Sequence, residues 1–181
     1  MRVSILDADH EMGVVGTDPD RLVPSSFVPL YEAHRLSVYR YLRAKTSNDD
    51  EALDLTAVTF ERAFANHRRF RRRDGGVHAW LLRIARNAAI DAHRRDRPTI
   101  GLAGAEAQLG RRAIETDRLA QQSTEVLDLV GRLPEDQRDA LLLRYAGGLT
   151  SREIGIVIGK RESAVQKHIE RGLATLREAI R

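Results

Sequence analysis

The stretch Trp80–Arg97, WLLRIARNAAIDAHRRDR, decides how this chain is read. Wound into a helix at about 100° per residue, it gathers Trp80, Leu81, Ile84, Ala85, Ala88 and Ala92 into one arc, a face to bury. The opposite side carries Arg83, Arg86, Asn87, His93, Arg94 and Arg97, with Ile90 among them. Arginine donates in a planar fork that fits phosphate or a guanine edge, and asparagine pairs with a base edge or with backbone. A basic helix face is often only a solvated surface, so the flanking sequence has to decide.

Upstream lies RRFRRRDGGVHA, residues 68–79. Gly75 and Gly76 break the helical pattern, which makes Arg71–Val77 a loop leading into the basic helix. Arg68, Arg69, Arg71, Arg72 and Arg73 supply charge for a nucleic-acid backbone. Phe70 and Trp80 are stacking rings or core residues, and Trp80 reads more readily as core. Charge is concentrated here: residues 62–97 hold 11 basic groups against 3 acidic, whereas residues 1–61 hold 6 against 11. Such a compact positive block suits a polyanion.

Composition narrows the fold class. Of 181 residues 42% are hydrophobic but only 5% aromatic, so the core is built from Leu, Ala, Ile and Val, which favours packed helices over a strand-rich sandwich. The absence of cysteine excludes disulfides and thiolate metal sites. No apolar run is long enough to cross a bilayer, and the acids near the N-terminus interrupt any secretory-type core; a cytoplasmic location without membrane insertion is expected.

In chain order, residues 1–24 read as a flexible extension. From Ser26 a helical stripe runs through Phe27, Leu30, Tyr31, His34, Val38, Tyr41 and Leu42. Ser47, Asn48, Asp49, Asp50 and Glu51 form a helix start. The helix they open places Leu53, Thr56, Phe60, Ala63 and Phe64 on one side, with Asp54, Val58 and Glu61 pointing elsewhere. Pro98 ends the basic helix, and residues 98–124 read as a linker of weak helical tendency between units 25–97 and 125–181. The second unit opens with a short helix ending at Gly131. Pro134, Glu135 and Asp136 start the next, which Gly147 and Gly148 close. Thr150 and Glu153, at capping-box spacing, launch a short helix that stops at Gly159. A last helix from about Glu162 buries Val165, Ile169, Leu173, Leu176 and Ile180. Short helix, glycine turn and longer helix form a helix-turn-helix. The longer helix turns Ser163, Gln166, Lys167, Glu170 and Arg171 outward, residue types that include donors suited to base edges and phosphates. The fold class expected is all-α, two small helical domains joined by a flexible linker.

These segments resemble a bacterial RNA polymerase sigma factor of the extracytoplasmic-function group in the sigma-70 family. The resemblance is carried by FVPLYEAHRLSVYRYLRAKT, DLTAVTFERAF, HAWLLRIARNAAIDAHRR and LPEDQRDALLLRYAGGLTSREIGIVIGKRESAVQKHIERGLATLR, over residues 27–97 and 125–181. It implies that the first unit melts and recognises the minus-ten promoter element and that the second binds the minus-thirty-five element. It assigns Asp54, Leu55, Val58 and Glu61 to the core polymerase contact, and Arg71, Arg72, Arg73, Arg83, Arg86, Asn87 and Arg94 to the minus-ten DNA. Ser163, Gln166, Lys167 and Arg171 fall to the minus-thirty-five DNA. Implied partners are core RNA polymerase, promoter DNA and an anti-sigma protein, with no cofactor, no metal and no catalytic residue. The chain departs from the family pattern at Ala57 and Val58, where Gln-Glu is usual, and at Lys160 and Arg161, where an apolar residue and a serine cap are usual. The loop before the basic helix also looks about a residue longer than usual. Two other classes stand beside this one: a free-standing helix-turn-helix regulator, which has no use for the Asp54 surface, and a metal nuclease using His78, Asp91 and His93, whose spacing matches no known ligand pattern.

Overall fold

The structure, a computed structural model, describes residues 22–23, 26–46, 48–71, 75–95 and 118–180. Most of the expected N-terminal extension, residues 98–117 of the expected linker, and Arg72, Arg73 and Arg97 lie outside the described residues. Among the described residues there are seven α-helices and no strand: α1 Phe27–Arg43, α2 Asp49–Ala65, α3 Gly76–Arg95, α4 Arg118–Gly131, α5 Glu135–Tyr145, α6 Ser151–Ile158 and α7 Glu162–Ala179. Helices α1, α2 and α3 pack on one another, α5 and α6 pack on α7 and on each other, and α4 rests on α7. The all-α architecture and the helix-turn-helix, α6 with α7, are as the sequence predicts.

Local chemistry sets the helix ends. The Asn48 side chain accepts from the Glu51 amide at 2.8 Å, with Asp49, Asp50 and Glu51 in the positive first turn of α2. Thr150 and Glu153 form the full capping box of α6, and Gly159 closes that helix in the left-handed region at φ 71°. Helix α7 begins at Glu162 behind Arg161, whose side chain makes no cap hydrogen bond.

Several expected positions are corrected. Leu22, assigned to the extension, is buried in the core. Helix α4 starts at Arg118, inside the stretch read as linker. On α2 the buried set is Ala52, Leu55, Thr56, Thr59, Phe60 and Ala63, while Leu53 and Phe64 are exposed. The helix touches both α1 and α3, so its buried arc is set by two neighbours and is rotated from the apolar stripe. Thr56 and Thr59 tolerate burial because each hydroxyl donates to the carbonyl four residues back, at 2.7 Å. Ile180, expected in the core, is exposed just beyond α7.

Helix α3 holds the molecule together. The predicted arc is buried at Trp80, Leu81, Ala85, Ala88 and Ala92, with Ile84 partly buried against it, but Leu82 and Ala89 are buried too. For Leu82 the burial comes from the second unit: α6 packs on α3, and Leu82 sits so close to Gly147 that a Cβ there would come within 2.9 Å of its Cδ1. Ile156 of α6 likewise approaches Gly75, at the foot of α3. Buried apolar residues of both units therefore form one cluster, from Leu22 to Val165.

Candidate nucleic-acid interface

The basic side of α3 divides into two strips. Asn87 and Arg94 are exposed, and Arg83 is partly buried. Arg86 is turned towards the second unit, where its Nε donates to Asp139 Oδ2 of α5 at 2.6 Å, with Glu135 3.8 Å away. The Asp139 side chain is only 1% exposed, and its other oxygen accepts from Lys45, which follows α1 and whose Nζ lies 5.7 Å from the centre of the Tyr41 ring. Burial raises the Asp139 carboxyl, but Lys45 and Arg86 outweigh that cost and hold it below the usual carboxylate range. A second polar contact crosses the same seam: His78 Nε2 lies 2.6 Å from the Gly147 carbonyl, and its Nδ1 lies 3.0 Å from His34 Nδ1. The carbonyl only accepts, so Nε2 carries a proton, and in the neutral ring Nδ1 accepts from His34.

The loop before α3 is partly described. Gly75 and Gly76 take φ of 91° and 82°, the left-handed turn that starts the helix. Arg71 is exposed, with its guanidinium folded back on its own loop, donating to the carbonyls of Arg68 at 2.9 Å and Phe70 at 2.8 Å. Phe70 and Trp80 are both 5% exposed and meet edge to face at 5.3 Å between ring centres. They are core residues and offer no stacking platform, which settles that alternative for this conformation.

On α2, Asp54 and Glu61 are exposed, and Val58 is partly buried against the core. Leu55, expected in the same contact set, is only 6% exposed and belongs to the buried cluster. Ser163, Gln166, Lys167 and Arg171 are all exposed on one side of α7. The turn before them depends on Gly155, where a Cβ would stand 2.6 Å from the Lys160 carbonyl oxygen. Lys160 in turn donates to Asp136 of α5 at 2.9 Å. Of the residues considered for a metal, His78 is engaged in the seam, Asp91 pairs with Arg62 at 2.9 Å, and His93 is exposed.

Asp139 is the residue that sequence reasoning missed. As one of three acids in EDQRDALLLRY it reads as the solvated side of a helix, and its partners Lys45 and Arg86 are 94 and 53 residues away.

A helical chain with an exposed recognition helix and a separate basic helix belongs to the DNA-binding class. The comparisons narrow that class: the model of Sigma-70 region 2 matches residues 30–99, and that of Sigma-70 region 4 matches residues 123–176. The ECF RNA polymerase sigma factor BldN of Streptomyces coelicolor is 32% identical over 155 residues, covering 83% of this chain and 59% of that protein. The chain thus spans under two thirds of that relative's length. A Mycobacterium bovis protein named "Probable RNA polymerase sigma-C factor" is also 32% identical, over 77% of this chain and 75% of its own length. Among solved structures, CnrH in complex with the cytosolic domain of CnrY superimposes with a TM-score of 0.67 at 22% identity, covering 86% of this chain and 88% of that one, a likeness of fold. The chain belongs to the sigma-70 family of RNA polymerase sigma factors, in its extracytoplasmic-function group.

Proposed function

We propose that this chain is a cytoplasmic initiation factor that binds core RNA polymerase and directs it to a set of promoters, where the polymerase supplies the chemistry and this chain supplies selectivity and melting. The observation that carries the reading is the presence, in one chain matched by both region models, of an exposed recognition strip on α7 and an exposed basic strip on α3. Phosphate contacts position each unit, while Asn87 and the loop before α3 hold unpaired bases, offsetting the few kcal/mol needed to unstack one. Neither unit has to bind tightly alone, because attachment to polymerase raises the effective concentration of both. Asp54, Val58 and Glu61 serve as the polymerase contact, and an anti-sigma protein is the expected antagonist. Two or three weak contacts acting together match a surface spread over α2, α3 and α7.

Run-off transcription with bacterial core polymerase on a genomic promoter library tests this directly. Initiation at discrete start sites is expected with the chain and not without it. Exposed Asn87 and Arg94, replaced together by Ala, should lower open-complex formation while leaving the thermal melt unchanged. DNA binding that ignores core polymerase would instead make the chain a free-standing regulator.

A further inference from the structure

The structure assigns Asp139 as an internal anion that occupies Arg86 in place of nucleic acid, so that closure of the second unit on α3 masks part of the DNA-binding face. The inference rests on the reading of α3 as a nucleic-acid helix. Its physical basis is the seam itself. Arg86 Nε donates to Asp139 Oδ2 at 2.6 Å, the type of charge-assisted bond it would make to a phosphate oxygen. With Asp139 in place the Arg86 side chain is 19% exposed and Glu135 of α5 stands 3.8 Å from its guanidinium, so a phosphate approaching Arg86 would meet two carboxylates. With Nε committed to Asp139, Nη2 beside Glu135 and the side chain 19% exposed, little of the Arg86 fork is left for a phosphate. Asn87 and Arg94 on α3 and the recognition strip of α7 stay exposed, so the closed form hides Arg86 and leaves those residues open.

The latch is also poised to release. One carboxylate holds two cations, Lys45 at 11% and Arg86 at 19% exposure. Its removal leaves two like charges in a largely buried seam without a counter-ion, which strongly destabilises the closed arrangement. By linkage, whatever draws Arg86 to DNA must weaken closure by the same factor.

The chain has no cysteine, so exposed Ala33 on α1 and Ala174 on α7 can be replaced by Cys and labelled as a donor–acceptor pair in the full-length protein. The probe is a single-stranded DNA oligonucleotide of mixed sequence, which presents no major groove to α7. High transfer efficiency is expected without DNA, falling as the oligonucleotide saturates. Asp139→Asn should show low efficiency from the start and bind the oligonucleotide about tenfold more tightly, within the usual range of coupling between linked sites. Equal affinity and equal transfer in the two proteins would overturn the assignment. If Asp139→Asn does not fold, the titration with native Asp139 decides alone: saturation with unchanged transfer overturns the inference. Core polymerase binding, measured on the same samples, is separate. A chain that opens but never binds polymerase loses the sigma-factor function and keeps the latch.

Discussion

At the scale of single residues, neighbours in space decide what a side chain is for. Leu55 and Asp54 are adjacent in sequence and share the resemblance to a polymerase contact, yet one is buried and the other exposed. Leu55→Ala should cost about 2–5 kcal/mol through the cavity it leaves, read as a lower Tm. Asp54→Ala and Glu61→Ala should leave stability within about 0.5 kcal/mol of native, as surface changes do, and weaken core polymerase binding in a pull-down. A Leu55→Ala protein with native Tm would show that the side chain is not packed. Gly155 makes the same point for backbone: Gly155→Ala forces a methyl to within 2.6 Å of the Lys160 carbonyl, and overpacking of this kind costs about 1–3 kcal/mol. Gly159 was readable as a helix stop from its place after an apolar run, but nothing local marks Gly155, because its constraint is a carbonyl five positions on that folds back over it.

At the scale of elements, periodicity exposed where the helices are and misjudged which sides they bury. Capping signals worked because they are local: Asn48, Thr150 with Glu153, and Gly159 each act within a turn of their own helix. Faces are set by partners, so α2, clasped between α1 and α3, and α3, which meets the first unit on one side and α5 and α6 on the other, both bury more than one stripe. The basic arc of α3 was legible as such, but its division into an open strip and one held by Asp139 was not. For α7 the two recognition residue types should separate by assay. Gln166→Ala should flatten discrimination between promoter variants, about 1–3 kcal/mol at one base pair if the amide reads a base edge bidentately. Lys167→Ala should weaken binding to all of them alike and lower the salt slope by about one. Competition binding at several salt concentrations distinguishes the outcomes, and a uniform loss from Gln166→Ala would reassign that residue to phosphate.

At the scale of the whole molecule, the two units carry one continuous core and one shared buried charge cluster, so their mutual packing has a pH dependence of known sign. The Asp139 carboxyl is held below its ordinary value, near about 3.9 in an unstructured chain, by Lys45 and Arg86 acting against the cost of burial. A carboxyl depressed on closing binds fewer protons when closed, so its contribution is fully present above the ordinary value and is lost as pH falls through the lower, closed-state value. No change from this group is expected between pH 8 and pH 5, and separation of the units is expected only in stronger acid. The measurement is the transfer efficiency of the native chain labelled on α1 and α7 as a function of pH, with Asp139→Asn as the open reference at each pH. Salt should do less than acid, because ions screen exposed pairs far better than a carboxylate with 1% of its side chain exposed. If the native chain opened fully between pH 8 and pH 5, the bridge from Asp139 to the two cations would not be what holds the units together across that range, and the pH dependence argued from it would fail.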